Sequence, residues 1–422
     1  MNKQLWFLPL LLSMFFNRLS AQIQVTDLLS KDSDKNSMPR NFVQFNNLLF
    51  FEAITESYGK EIWVSDGTVD NTRLLKDIYP GKSSGITTVF SQSSVTFNDK
   101  LFFVANDGQN GKQIWSTDGT EEGTVPVTDL PKLNMSNLTL VGDYFYFLSK
   151  EGFLLHVWKS DGTSEGTIVV KGDLPIRNYP SFEGAANGLF FFTFQPEETN
   201  QSRVWRSDGT ESGTFPVTQE VDGNGAGPTG TSSLTQYIEF NNDLYFVVKS
   251  SSIFPFPTTV GIMKTDGSPE NTVPVKAVHE GNWELVDFAD VIEINNKLYF
   301  SFFLTDYRRL FIWESDGTEN GTKKIYDVSG PKYYVPSNLA TNGTDLIFTG
   351  KSNNDETALL KLNPENYQVE EIKELITNVN QPFFTRHFNI NLISKITDNS
   401  FYIAPPTSGA TATSAGARLS MR

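Results

Sequence analysis

The sequence predicts an all-β fold, a β-propeller of four-stranded blades, and three observations predict it. An Asp-Gly-Thr or Asp-Gly-Ser triplet recurs at Asp66, Asp118, Asp161, Asp208, Asp266 and Asp316, at intervals of 52, 43, 47, 58 and 50 residues. Residue pairs suited to two-residue hairpin turns recur in step with it. Between them lie short runs crowded with aromatic residues, drawn from 34 Phe, 14 Tyr and 7 Trp in 422 residues. A unit of about 50 residues that cannot bury its own apolar face has to stack on its neighbours, and four strands per unit describes a propeller blade.

The chain begins with Met1-Asn2-Lys3, an apolar run from Leu5 to Phe16 and then Asn17 to Gln22. A short positive start, about a dozen apolar residues and a small residue before a polar one predict a signal peptide over residues 1–21, cleaved after Ala21. The run is too short to span a bilayer. No second long apolar stretch follows, so the expected product is an exported protein without a transmembrane segment.

Each unit then reads in the same order. The hairpin pairs are Asn46-Asn47, Asn98-Asp99, Gly142-Asp143, Asn187-Gly188, Asn241-Asn242, Asn295-Asn296, Asn342-Gly343 and Asp398-Asn399. Asn, Asp and Gly tolerate the positive φ that such turns require. An aromatic second strand follows, as in Leu101-Phe102-Phe103 and Leu189-Phe190-Phe191-Phe192. The third strand carries Trp63, Trp115, Trp158, Trp205, Met263 or Trp313, three residues before each motif Asp, alternating with polar neighbours and expected in the core between sheets. Gly at the second triplet position permits positive φ, and the Asp carboxylate can close an Asx turn. Five residues after each Asp stands Gly or Asn (Asn71, Gly123, Gly166, Gly213, Asn271, Gly321), read here as a second position of positive φ. A fourth strand follows the next Thr, as in Thr72 to Ile78.

Eight hairpin pairs against six triplets require two irregular units. In the seventh, Leu360-Lys361-Leu362-Asn363-Pro364 replaces the motif; in the eighth only the first two strands appear, around Asp398-Asn399. Val25-Thr26-Asp27-Leu28 repeats the fourth-strand text Val127-Thr128-Asp129-Leu130 before any first strand has appeared. The repeat domain is therefore placed at 22–403, with eight blades, the last split between the termini and lacking its third strand. Seven blades with a loose end is the alternative. Residues 404–422 have no aromatics and are read as a disordered or non-native tail.

Glu61-Ile62-Trp63-Val64-Ser65-Asp66-Gly67-Thr68 resembles the repeat Glu-Leu-Trp-x-x-Asp-Gly-Thr-x-x-Gly-Thr of a family common in secreted Bacteroidetes proteins and sometimes called hyalin-like. The similarity runs from about residue 23 to 403. It implies the propeller fold and a secreted or cell-surface location, and it implies no catalytic residues. The turn is also similar to the Asp-box of sialidase propellers, a structural element away from their active site.

Composition narrows the function. Net charge is −15, which disfavours nucleic acid as a partner. With no Cys there is no thiolate nucleophile or Cys-ligated zinc, and the three His (His156, His279, His387) are spread too widely for a metal site. Neither a cofactor nor a metal is expected. Asn106-Asp107-Gly108-Gln109-Asn110-Gly111 has the start of a calcium loop without its closing acid, and reads as a solvated turn.

The regular turns share one face of a propeller, so a ligand site belongs to the irregular loops of the other. Those loops cluster late in the chain. Phe254 and Phe256, Trp283, Tyr307 and Arg309, and Tyr333 and Tyr334 form the candidate ligand-binding set, suited to stacking on a sugar ring or anchoring a peptide. The six motif Asp residues are assigned to structural turns. The expected function is an exported, non-catalytic binding, adhesion or scaffold module for an extracellular glycan or protein. An extracellular hydrolase or lyase acting on polysaccharide is the competing reading.

Overall fold

A computed structural model describes residues 37–374 apart from 38, 69, 199–202, 219–236, 251–257, 282–285, 305–308, 330–338, 342 and 352–356, together with strands at 400–403 and 417–420. The signal-peptide residues 1–21, the 25–28 segment and Asp398-Asn399 lie outside the described residues. All described regular structure is β, and no helix among the described residues is long and apolar enough to cross a membrane.

The strands form antiparallel sheets in simple meander order, 1-2-3-4. Seven sequence repeats are described, over 40–74, 94–126, 134–175, 176–216, 237–281, 286–329 and 340–374; they are numbered 1 to 7 below. Repeats 1, 2, 5, 6 and 7 are five separate four-stranded blades, fewer than the seven or eight expected. Repeats 3 and 4 share one eight-stranded sheet. The reason is a single 19-residue strand, Ile168–Ala186. Its first part pairs with Leu154–Ser160 as a fourth strand, and its second part pairs with Leu189–Pro196 as a first strand. No loop separates the two units, so their ladders join. At the far end of the chain Ser400–Ile403 pairs with Ala417–Ser420, so the tail segment contains a strand.

First strands of successive repeats touch one another (2 with 3, 4 with 5, 5 with 6, 6 with 7), which places them on the inside of a ring-like arrangement and the fourth strands outermost. The core lies between blades, and the second strands build it by alternation. In repeat 2, Leu101, Phe103 and Ala105 join Phe45, Phe50 and Ile62 of repeat 1. Phe102 and Val104, one residue out of phase, join Phe145 and Phe147 of repeat 3. Repeats 4, 5 and 6 continue the pattern through Phe191 against Phe246, Tyr245 against Phe300, and Tyr299 against Phe348. A strand buried on both faces needs an unbroken apolar run, and these are the aromatic runs of the sequence. Trp115 and Met263 are buried in the same interfaces, while Trp158, Trp205 and Trp313 pack against them half-buried.

The hairpin turns have the backbone the pairs demanded. Asn46 and Asn47 have φ of 47° and 60°, Asn98 and Asp99 47° and 56°, Asn241 and Asn242 50° and 64°, Asn295 and Asn296 50° and 61°. At Gly142-Asp143 only Gly142 is positive, the pattern of a type II′ turn.

Candidate functional site

The six motif turns are built alike. Asp118 Oδ1 accepts the Thr120 amide at 2.9 Å and the Thr120 hydroxyl at 2.7 Å. Thr124 Oγ1 lies 2.6 Å from Thr120 O and 2.8 Å from Thr117 Oγ1, and the Gly119 amide donates to Thr117 Oγ1 at 3.0 Å. The Thr120 hydroxyl and then its amide hold the Asp118 carboxyl below the ordinary range. The same bonds recur around Asp66, Asp161, Asp208, Asp266 and Asp316.

Gly119 has φ of 101°, and the equivalent glycines are likewise positive. The second glycine position differs from expectation. None of Gly123, Gly166, Gly213, Gly321, Asn71 and Asn271 has positive φ. The requirement there is space: a Cβ built on Gly123, Gly166, Gly213 or Gly321 falls on the carboxylate of that turn's own Asp. Where Asn stands instead, its amide binds that carboxylate, Asn71 Nδ2 to Asp66 Oδ2 at 2.7 Å and Asn271 Nδ2 to Asp266 Oδ2 at 2.6 Å.

The turns are also clasped from repeat to repeat. Arg73 Nη2 donates to Gly119 O at 2.7 Å, Lys159 Nζ to Gly209 O at 2.9 Å and Arg206 Nη1 to Gly267 O at 3.3 Å. Lys76 Nζ reaches Thr124 O at 2.8 Å, and Lys171, at the same repeat position, reaches Thr214 O at 2.9 Å. The Asp107 carboxylate is engaged within its own loop by the amides of Gln109 and Asn110 at 2.9 and 2.8 Å.

Of the candidate ligand-binding residues, Phe254, Phe256, Trp283, Tyr307, Tyr333 and Tyr334 lie outside the described residues. Arg309 opens the third strand of repeat 6, opposite Leu304 and Ser329.

The described residues bring together a different group, from the segment before the first strand of repeat 3 and the first strands of repeats 4 and 5. Ser136 Oγ accepts the Leu148 amide at 2.8 Å and donates to Glu183 Oε2 at 2.7 Å. Glu183 is half-buried as a whole, yet burial of its carboxyl pushes it up to about 8 against the Ser136 bond. The Tyr237 ring lies over Gly184, where a Cβ would overlap it. Its phenol is raised, first by burial and then by the charge of Glu183. The result is a carboxyl protonated near neutrality that can donate a hydrogen bond or a proton.

The same sector carries Phe153, at 72% the most exposed large apolar residue described. It sits beside Gly152 (φ 60°) in the second-to-third-strand hairpin of repeat 3, with Lys150 Nζ 5.5 Å from its ring centre. Its carbonyl accepts the Ile176 amide at 2.8 Å, where the long strand passes from repeat 3 into repeat 4. The signal for Phe153 was present as an aromatic directly after a turn Gly. Nothing in the sequence linked Ser136 to Glu183, 47 residues apart.

The sequence matches no family model and no curated protein. Solved structures similar to this chain include an oligogalacturonate lyase in complex with manganese (12% identity over 85% of this chain and 83% of that one, TM-score 0.42). A puromycin hydrolase (10% identity, 82% and 55%, TM-score 0.44) and a putative 6-phosphogluconolactonase from Bacteroides fragilis (13% identity, 77% and 93%, TM-score 0.40) are others. This chain spans about half the length of the puromycin hydrolase. These are likenesses of fold alone.

Proposed function

We propose that the chain is an exported propeller of eight units that serves as a non-catalytic binding or adhesion module for an extracellular glycan or protein. The observation that carries the binding reading is Phe153. A ring left 72% exposed adds nothing to the core, and the hairpin that carries it joins second strand to third, on the face away from the regular turns. With Lys150 beside it, it offers the apolar surface and the cation that a sugar ring or a peptide side chain can use.

Eight units are favoured by the first blade. Phe51, Ala53 and Trp63 occupy the face that in later repeats packs on the preceding blade, and their exposures are 0%, 0% and 8%. An eighth, closing unit is what this burial of the first blade's open face would call for.

The test is a panel of extracellular glycans and matrix proteins probed with the parent and Phe153→Ala. Loss of at least about tenfold in affinity, about 1.4 kcal/mol, at unchanged melting temperature supports the reading. Binding as tight as the parent's places the ligand elsewhere.

Glu183 favours the second reading, a polysaccharide hydrolase or lyase, because a carboxyl held near pH 8 has the property of a general acid. Turnover of a polysaccharide by the parent, abolished in Glu183→Gln, would establish it.

A further inference from the structure

Repeats 1 and 2 place different residues at one position, two before the motif Trp: Glu61 and Gln113. Both are buried, with exposures of 0% and 2%. Both hold the segment that leaves the fourth strand for the next blade. Gln113 uses its two ends. Its Oε1 accepts the Leu130 amide and the Thr128 hydroxyl, each at 2.9 Å; its Nε2 donates to Leu130 O at 2.8 Å and Asn110 O at 3.1 Å.

Glu61 repeats only the accepting half. Its Oε1 takes the Gly85 amide at 2.8 Å and the Tyr79 amide at 3.2 Å. Its Oε2, where Gln113 carries a donor, is buried with no hydrogen-bond partner. In the same connecting segment Asp77 Oδ2 takes the Gly81 amide at 3.2 Å, and Asp77 Oδ1 is buried with no partner either. Gly85 leaves the room around this carboxylate, for a Cβ there would approach both Glu61 oxygens at 2.6 Å. Two neighbouring carboxyl groups, each satisfied on one oxygen and without a partner on the other, leave a hydrogen-bonding demand unmet.

We propose that Glu61 Oε2 and Asp77 Oδ1 bind a divalent cation of the calcium type, which ties the 75–86 connection to the third strand of repeat 1. The cation does there what the Nε2 group of Gln113 does in repeat 2. Calcium takes six to eight oxygen ligands, with carboxylates supplemented by backbone carbonyls and water. Among the described residues no three His, Asp or Glu side chains are grouped to hold a metal, so two side chains form the acidic share and the rest of the shell is carbonyl and water. A site with so little acid belongs at the weak end, about 10⁻⁴–10⁻³ M.

The experiment uses the full chain freed of metal by a chelator and then titrated with calcium or magnesium chloride at about 1 mM and above. Melting temperature and calorimetric stoichiometry are read on the parent, Glu61→Gln, Asp77→Asn and the control Asp107→Asn. The expected result is one calcium per chain and a rise in melting temperature that grows with calcium concentration in the parent and in Asp107→Asn, with no rise in the other two. Glu61→Gln should also match or exceed the calcium-free parent in stability, because it restores the donor that Gln113 has. Two results overturn the proposal. A calcium response that survives both Glu61→Gln and Asp77→Asn puts the cation elsewhere. No response in the parent, with melting temperature falling as pH rises toward 9, means the two carboxylates share a proton instead. If Glu61→Gln does not fold, Asp77→Asn carries the same comparison.

Discussion

Replacing Gly123 with Ala sets a Cβ against the Asp118 carboxylate. The carboxylate has to turn away, and its bonds from the Thr120 amide (2.9 Å) and hydroxyl (2.7 Å) are lost with it. Both bonds are charge-assisted but exposed, so each is set at about 1 kcal/mol net, and Gly123→Ala should cost about 2 kcal/mol. In an Asp118→Ala background the obstacle is already gone, and the same substitution should cost less than about 0.5 kcal/mol, the ordinary figure for a surface change. The double-mutant cycle therefore returns a coupling of about 1.5–2 kcal/mol. Denaturant midpoints of the four proteins, followed by Trp fluorescence, measure it. A penalty for Gly123→Ala that is equal in both backgrounds refutes the argument, because it would mean that backbone conformation rather than the carboxylate selects glycine.

Trp115→Ala removes a ring buried between repeats 1 and 2 and should destabilise by about 3–5 kcal/mol in the same denaturation assay, with no selective loss of ligand binding. Lys76→Met keeps the stem but loses the donor to Thr124 O, and should cost about 1 kcal/mol; no change would mean the clasp between repeats adds nothing. Glu183 is held at about 8, above its ordinary 4.5, so the folded state carries an extra proton between those values. The Glu183 contribution to stability should therefore be full below about pH 4.5 and decline as pH rises toward 8, and Glu183→Gln should remove that part of the pH dependence in melting curves taken across the range.

The elements most legible in the sequence were those with a single local cause. Asn46-Asn47 and Asn295-Asn296 could be read as hairpins because few residues accept consecutive positive φ. Phe102 and Phe103 could be read as a strand buried on both faces because an unbroken aromatic run has no polar side to show water. The Gly or Asn choice at the second turn position answers to space and not to φ, and the sequence alone does not separate the two because both favour the same residues. The fusion of repeats 3 and 4 was hidden for a related reason. Val170 to Ile176 contains Gly172 and Pro175, ordinary marks of a loop, but Asp173 takes φ of 55° within a continuing strand whose pairing with Leu154–Ser160 shifts register. The Ser136–Glu183 pair had no local cause at all: it exists because the segment entering repeat 3 meets the first strand of repeat 4.

That division between local and assembled features says where function can reside in such a chain. In each motif turn the Asp carboxylate is engaged within the turn, and where a clasp forms the outward carbonyl is taken by a cation from the preceding repeat. A ligand offered to those groups would have to break bonds that hold neighbouring blades together, so affinity there would be obtained at the expense of the fold. Groups available to a ligand are the ones the repeats leave over. Phe153 is an apolar surface that no neighbour covers, Glu183 a raised acid beside Ser136 of repeat 3 and Tyr237 of repeat 5, and Glu61 an oxygen lacking the donor its counterpart in repeat 2 provides. Each arises where one repeat departs from the others, and only there does a substitution have the means to change binding without first changing stability.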